Sequence, residues 1–169
     1  MHLETKRLVL RPLRPEDVPA LARLWTDAVV TRFMGGPRQY DEVAATLLED
    51  SRSASPPPYD LDVLVHKASE EVIGHCGIID KEIDGVTEYE LTYVLAASAW
   101  GRGYATEIAR AIRDDATGRL GLHRIVALIE PANAASKRVA EKTGLRYEKN
   151  VVRPDGQTKK LFVFTPAIP

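Results

Sequence analysis

The stretch that decides the fold lies near the middle of the chain and reads Glu88-Tyr89-Glu90-Leu91-Thr92-Tyr93-Val94-Leu95, followed closely by Trp100-Gly101-Arg102-Gly103-Tyr104-Ala105. An extended run, a glycine turn and a helical pattern follow one another without a long linker. Small glycines let backbone N–H groups approach an anion, and a helix N-terminus adds partial positive charge. The stretch therefore predicts a strand, a turn and a helix that together bind a diphosphate ligand.

Length and composition indicate an ordinary globular protein. The 169 residues are 44% hydrophobic and 28% charged, which suits one domain that we expect to span residues 1–169. The net charge of −1 provides no basic field, so we expect no nucleic-acid partner. The first residues lack the apolar core of a signal peptide, and no apolar run approaches the roughly 20 residues that span a bilayer. We expect a cytoplasmic protein without membrane association.

Cysteine and histidine give no sign of a metal site. The single cysteine, Cys76, lies between Gly74 and Gly77 in an apolar segment, which is typical of a small buried residue rather than a nucleophile. The four histidines are scattered, with no paired spacing on a helix face. We therefore expect no bound metal.

The sequence before the central stretch predicts a β-then-α opening. A half-buried strand is expected from Arg7 to Leu13, and a helix begins at Pro15. A second helical stretch is expected to end near Phe33-Met34, before a glycine pair, and a third to run from Asp41 to about Arg52. Loops are expected at residues 35–37 and at the proline-rich residues 53–58.

Strands dominate the middle and the end of the chain. Residues 59–66 and 72–79 are expected to form an antiparallel meander with the strand that contains Glu90. After the glycines, a helix ending near Gly118 and a strand from Arg124 to Ile129 change the pattern to β-α-β. A helix capped by Asn133 and a hairpin over residues 145–164 complete the chain. These elements indicate an α/β (α+β) fold.

The glycine pattern narrows the classes of phosphate ligand that the loop can bind. In a dinucleotide fingerprint of the form G-x-G-x-x-G, Gly101 and Gly103 fill the first two places, but Thr106 stands at the third. The mononucleotide P-loop is also disfavoured, since no Gly-Lys-Ser or Gly-Lys-Thr follows. A nicotinamide-dependent enzyme is thus a weak alternative, and a packing role for the glycines is another.

The combined motifs resemble the Gcn5-related N-acetyltransferase (GNAT) superfamily, especially its branch of ribosomal-protein N-terminal acetyltransferases (RimJ/RimL-like). The family's pyrophosphate loop, Gln/Arg-x-x-Gly-x-Gly/Ala, is matched by residues 100–105, with Trp100 at the leading position. Residues 5–12, 103–107 and 133–144 are similar as well, so the resemblance spans nearly the whole chain. It implies a single-domain GNAT-like fold with a mixed, mostly antiparallel, centrally splayed sheet flanked by helices, and acetyl-coenzyme A as the acyl donor.

The resemblance also implies how the donor is held. It assigns donor binding to backbone groups around two residues at the end of the strand, to the glycine loop and to one asparagine later in the chain. These residues are Val94, Leu95, Gly101, Arg102, Gly103, Tyr104, Ala105, Thr106 and Asn133. For Arg102 a solvated side chain is the alternative, and Asn133 would serve equally as a helix cap. Where the branch has Glu-x-Gly-Tyr-Trp-Leu, this chain has Thr92 and Val94 in place of the glycine and the second aromatic residue.

The predicted chemistry is transfer of an acetyl group to an amine. Such a transfer needs a base for the nitrogen and a proton for the departing sulfur. Strand alternation places Glu88, Glu90, Thr92 and Val94 on one face, so Glu90 is a candidate base acting through water, or else an ion-paired strand carboxylate. Ser136 is a candidate contact for the thiol end, or else a first-turn helix residue.

These expectations lead to two functions. The first is an acetyl-CoA-dependent N-acetyltransferase that moves the acetyl group directly to a primary amine, either a protein N-terminus or a small molecule. The alternative is a noncatalytic acyl-CoA sensor that binds a partner protein. Exposed strand edges in the terminal hairpin would also permit a homodimer.

Overall fold

The computed structural model describes residues 1–53 and 57–166. Of the expected proline-rich loop, residues 54–56 lie outside the described residues. Eight strands form one sheet in the order β1-β2-β3-β4-β5-β6-β8-β7. The strands are β1 (Leu3–Glu4), β2 (Leu8–Arg11), β3 (Leu61–His66), β4 (Val72–Ile83), β5 (Val86–Leu95), β6 (Ile125–Ile129), β7 (Arg146–Val152) and β8 (Thr158–Phe164). All neighbouring strands are antiparallel except β5 and β6, which are parallel.

The helices follow the apolar periodicity of the sequence. They are α1 (Val18–Thr26), preceded by a 3-10 turn at Pro15–Asp17, then α2 (Tyr40–Asp50), α3 (Tyr104–Gly118), preceded by a 3-10 turn at Ala97–Ala99, and α4 (Ala134–Lys142). In α3 the apolar residues Ile108, Ile112 and Ala116 recur every turn and are fully buried. The mixed, mostly antiparallel sheet flanked by helices agrees with the predicted fold class.

Two apolar cores lie on opposite faces of the sheet. Val94 packs with α1 and α2, whereas its neighbour Leu95 packs with α3. The same alternation separates Val63 from Leu64 on β3. A smaller cluster of Ile83, Val126, Val151 and Leu161 lies beneath the terminal hairpin. The sheet is therefore covered on both faces, as α/β proteins require.

The second expected helix does not form, which corrects the prediction that a helix ends near Phe33-Met34. Residues 27–36 form consecutive turns instead. The Asp27 carboxylate accepts hydrogen bonds from the amides of Val29 and Val30 at 2.8 and 3.3 Å, so its side chain competes with helical backbone bonding. Gly35 and Gly36 then take φ values of 90° and 87°. The strand expected over Arg7 to Leu13 is also shorter, and a brief strand β1 precedes it.

Candidate active site

The parallel pair β5 and β6 separates after a single paired position, Glu90 with Val126. Beyond Glu90, β5 continues to Leu95 and pairs only with β4, while β6 continues to Ile129 and pairs only with β8. The two strands therefore diverge and leave a wedge in the centre of the sheet. The wedge opens into a cleft of about 1100 Å³ that Glu90, residues 92–95 and the glycine loop all line.

Strand alternation decides which backbone groups face this wedge. The amide of Ala96 donates to the carbonyl of Ile73 on the β4 side at 2.9 Å. Because N–H and C=O directions alternate along a strand, Val94 also turns its backbone groups toward β4, whereas Tyr93 and Leu95 turn theirs toward the open edge. Of the two predicted positions, Leu95 thus presents its amide to the cleft and Val94 does not.

Trp100 ties the end of β5 to the glycine loop. Its indole Nε1 donates to the carbonyl oxygen of Leu95 at 2.8 Å, while 49% of the residue stays exposed beside the cleft. A leading Gln or Arg could reach the same carbonyl only with a flexible chain. The rigid indole fixes the distance between the open strand edge and the loop.

The glycine loop (residues 101–106) has the backbone of an anion site. Gly101 and Gly103 have φ values of 74° and 80°, a backbone conformation that residues other than glycine rarely adopt. Gly103 caps α3 without a side-chain hydrogen bond, and the first intrahelical donor is Glu107. The amides of Tyr104, Ala105 and Thr106 are therefore free for a ligand, and the helix dipole favours a negative one. The Arg102 side chain is exposed and does not line the cleft.

The N-terminal motif holds this loop in place. The Glu107 carboxylate accepts hydrogen bonds from the Thr5 hydroxyl at 2.7 Å, the Arg7 amide at 3.0 Å and the Arg7 guanidinium at 2.7 Å. Arg7 also donates to the carbonyl of Arg102 at 2.9 Å. Burial would raise the pKa of Glu107, but the Thr5 and Arg7 donors hold that pKa below its ordinary value.

Glu90 lies at the mouth of the wedge, partly buried, with its carboxylate toward β6. Its Oε1 accepts a hydrogen bond from the amide of Leu128 at 3.3 Å. Burial raises the pKa of the Glu90 carboxyl, against the lowering effects of the Lys81 charge, the Leu128 amide, Arg153 and Lys159. A carboxyl group with a raised pKa is a stronger base than an exposed one, and it faces the cleft.

Glu88, the neighbouring carboxylate on the same face, is not available to the cleft. It accepts two hydrogen bonds from Arg124, at 2.9 and 3.1 Å, and Arg124 also pairs with Glu148. Glu88 is therefore an ion-paired strand carboxylate, which was the alternative role considered for Glu90.

Ser136 and Tyr93 meet across the cleft. The Ser136 hydroxyl donates to the Tyr93 hydroxyl at 3.0 Å, and the Tyr93 hydroxyl donates to the Ser136 carbonyl at 2.9 Å. Asn133 caps α4 by accepting from the Ser136 amide at 3.0 Å, and both Asn133 and Ser136 line the cleft. Burial raises the pKa of Tyr93 to about 12, so its hydroxyl stays protonated at neutral pH. By contrast, Tyr147 is 52% exposed.

Residues 7–146 match the family model described as "Acetyltransferase (GNAT) domain". The chain belongs to the GNAT acetyltransferase family. Among curated relatives, the chain is 33% identical to the protein YkkB of Bacillus subtilis over 88% of this chain and 87% of that protein. It is 30% identical to the N-acetyltransferase p20 of Bacillus licheniformis, over 86% and 83% of the two chains.

Solved structures agree with the GNAT fold. An acetyltransferase from Agrobacterium tumefaciens superposes with a TM-score of 0.82 at 28% identity, covering 98% of this chain and 95% of that one. The splayed pair β5 and β6 and the glycine loop are thus parts of an acetyltransferase fold.

Cys76 has a structural place in this GNAT chain. It is fully buried, and burial raises the pKa of its thiol to about 12, so the thiolate form is absent at neutral pH. Within residues 1–53 and 57–166, no three His, Cys, Asp or Glu side chains are arranged as metal ligands. No helix in those same ranges has the length and apolar character needed to cross a bilayer.

Sequence reasoning missed two features of the cleft. The contacts of Glu107 with Thr5 and Arg7 join residues about a hundred positions apart, although all three lie in the motifs quoted for the family resemblance. Five cationic residues that line the cleft outside the glycine loop and α4 were also missed. They come from separate segments and carry no local pattern: Arg32, Arg38, Lys81, Arg153 and Lys159.

We call the two parts of the cleft the glycine side and the Glu90 side. The glycine side comprises the cleft residues of the segments 100–106 and 133–142. The Glu90 side comprises Glu90 with the cleft residues of the 27–39 segment, Lys81 and residues 153–159.

Proposed function

We propose that this chain is an acetyl-CoA-dependent N-acetyltransferase that moves the acetyl group directly to a primary amine, with residues 1–169 acting as one catalytic domain. The observation that carries the proposal is the wedge between β5 and β6. It joins a partly buried carboxylate, free strand amides and a helix N-terminus without a side-chain cap in one cleft. Direct transfer is supported because the Cys76 thiol is buried and therefore cannot carry the acetyl group as a covalent acyl-enzyme intermediate.

The residues of the glycine side fit the donor. Amides of the first turn of α3 would hold the diphosphate, and the amide of Leu95 would pair with the pantetheine arm as an added strand would. Arg138 and Lys142 add positive charge along the same side. Asn133 remains the cap of α4 while its side chain borders the cleft.

Glu90 is the proposed base. The bound thioester supplies the acetyl carbon and a sulfur leaving group. The amine nitrogen bonds to that carbon, its proton passes to Glu90 through water, and the C–S bond breaks. The backbone amide of Tyr93 polarises the carbonyl oxygen, since it points into the open edge.

Tyr93 and Ser136 are proposed to protonate the sulfur. The Tyr93 hydroxyl is held by both the hydroxyl and the carbonyl of Ser136, and it retains its proton at neutral pH. Its proton passes to the departing thiolate and is replaced from solvent. Ser136 therefore acts by orienting Tyr93.

Calorimetric titration with acetyl-CoA, followed by a free-thiol assay with a panel of amines and peptide N-termini, tests the proposal. We expect cofactor binding and thiol release that depends on the amine. Failure to bind the cofactor would reject the proposal, and tight binding without turnover on any amine would favour the acyl-CoA sensor instead.

A further inference from the structure

The floor of the Glu90 side is set by strand pairing. On the face covered by α1 and α2, the pairs of β4 and β5 run in the order His75 with Val94, Gly77 with Thr92, Ile79 with Glu90 and Lys81 with Glu88. Directly opposed residues in an antiparallel pair share a face. Along this face, Glu90 thus lies between the pair of His75 and Val94, which the helices cover, and the next pair, which contains Lys81. We call the pair of His75 and Val94 the covered end.

A guanidinium is fixed at the covered end by a buried support. Trp25, 5% exposed, donates from its Nε1 to His75 Nδ1 at 3.1 Å. Burial and, to a smaller extent, the Arg38 charge lower the pKa of His75 to about 4 against a hydrogen bond with the Leu61 backbone, so the imidazole is neutral and accepts this bond. The Arg38 guanidinium lies over the indole, 4.1 Å from the ring centroid, and the Arg38 amide donates to the Trp25 carbonyl at 3.1 Å.

The positive charges of this side exceed its carboxylates. Arg32 lies 4.7 Å over the ring of Phe33, and within the described parts of the chain no carboxylate pairs with Arg32, Arg38 or Lys81. The remaining carboxylates that line the cleft are engaged elsewhere. Glu130 pairs with Lys159, and Asp155 accepts the Gln157 amide within its own turn at 2.9 Å.

We propose that the acceptor is an anionic amine, meaning a primary amine whose skeleton carries a carboxylate or phosphate, with the anion held by Arg38 and the amine directed to Glu90. The proposal rests on the proposed function and names the substrate class of the same site. A guanidinium fixed over an indole presents its N–H fork without further ordering and suits either anion. Glu90, the one carboxylate of the floor that faces the cleft without a cation at ion-pair distance, is left for the amine.

The same charges disfavour polycationic acceptors. A polyamine would place its additional ammonium groups beside Arg32, Arg38 and Lys81, and like charges at such distances repel. Phe33 and Met34 also line the cleft, and their apolar surface gives room for an uncharged part of the acceptor.

The first test compares matched amines in the thiol-release assay with the full chain and acetyl-CoA. Phenylalanine is paired with phenylalanine amide, and O-phosphoethanolamine with ethanolamine, while spermidine represents polycations. We expect kcat/KM to be about tenfold or more higher for at least one anionic member than for its uncharged partner, with spermidine the poorest. A best substrate that is polycationic, or equal rates within both pairs, would overturn the proposal.

The second test requires no turnover. N-acetylphenylalanine and N-acetylphenylalanine amide, and likewise N-acetyl-O-phosphoethanolamine and N-acetylethanolamine, are titrated into the enzyme saturated with CoA. We expect one acid to bind about tenfold or more tightly than its neutral partner, Arg38→Gln to remove that preference, and Arg38→Lys to restore part of it.

Arg146→Gln is the matched control, because Arg146 is an exposed strand arginine outside the cleft. It should keep the preference of the wild type. No preference in either pair, no binding of any probe, or a preference that survives Arg38→Gln would overturn the proposal. Absence of CoA binding would instead reject the proposed function, so the two failures are distinguishable.

Discussion

The glycine side of the cleft is formed mainly by main-chain groups of continuous segments, whereas the Glu90 side is formed by side chains from distant parts of the chain. Residues 100–106 offer amides whose positions follow from two positive φ values and a helix start. On the other side, Lys81 on β4 and Arg153 and Lys159 of the terminal hairpin act on Glu90, and Arg38 lines the same cleft from the segment before α2. A backbone site tolerates changes of side chain, and a side-chain site is altered by each of them. We infer that donor binding is set by the first side and acceptor choice by the second.

Replacing Glu90 should have the largest effect and would show whether the two sides are separable. We expect Glu90→Gln to lower kcat by about 100- to 10,000-fold, the range typical for loss of a general base, while the Kd for acetyl-CoA changes by less than about twofold. Thiol-release kinetics and calorimetry measure the two quantities.

Glu88→Gln provides the control for that experiment. Glu88 shares the strand face but pairs with Arg124 outside the cleft, so the variant should keep a rate within about threefold of the wild type. Equal losses of rate in the two variants would remove Glu90 from the mechanism. An equal loss of rate and of cofactor affinity in Glu90→Gln would show that the two sides are not independent.

Replacing a glycine of the glycine loop tests the glycine side of the cleft. Gly103 and Gly85 have φ values of 80° and 78°, and a Cβ at either site meets nothing closer than 3.5 Å. Gly103→Ala and Gly85→Ala should therefore lose a similar free energy of unfolding, about 1–2 kcal/mol, from backbone strain alone. Urea unfolding measures this loss.

Only the variant in the glycine loop should lose donor affinity. In Gly103→Ala the strain is relieved by moving the first amides of α3, so we expect the Kd for CoA to rise on the order of tenfold. Gly85 lies in the turn between β4 and β5, outside the cleft, and its variant should bind CoA as the wild type does. Equal CoA affinity in the two variants would contradict an amide cradle at Gly103.

The same division explains what could be predicted from sequence. The strand, the glycine loop and the Asn133 cap are local, so periodicity and turn chemistry located them within a few residues. The wedge followed from the family resemblance, since no pattern within β5 alone shows where β6 separates from it. The helix predicted to end near Phe33-Met34, before the glycine pair, does not form, because the Asp27 side chain and the two glycines favour turns.

The Glu90 side could not be found by such reasoning. Its cations extend from Arg32 to Lys159 in the sequence, and each one by itself is typical of a solvated surface charge. Glu88 and Glu90 were equivalent in sequence. Only the register of β5 against β6, and the position of Arg124, assign one to an ion pair and the other to the cleft.

Lys81 tests how strongly the cationic residues act on Glu90, and here the expected effect is smallest. Burial raises the pKa of Glu90, and the Lys81 charge acts in the opposite direction. Removing that charge in Lys81→Gln should raise the pKa further, so the carboxylate form is lost at a higher pH on acidification. The acid limb of kcat/KM, which reports the free enzyme, should shift upward. Relative to its own high-pH plateau, the variant should be about two- to fourfold less active on that limb, the factor expected for one charge pair near the surface.

Comparison with Lys149→Gln separates this local effect from a change in net charge, because Lys149 pairs with Asp84 away from the cleft. That variant should keep the acid limb of the wild type. High salt should reduce the shift in Lys81→Gln, since part of the interaction crosses solvent. A limb that moves to lower pH would mean that Lys81 does not act on Glu90 as a charge. The pKa of Glu90 would then be set by burial, the Leu128 amide, Arg153 and Lys159, and Lys81 would have no part in the comparison between the two sides.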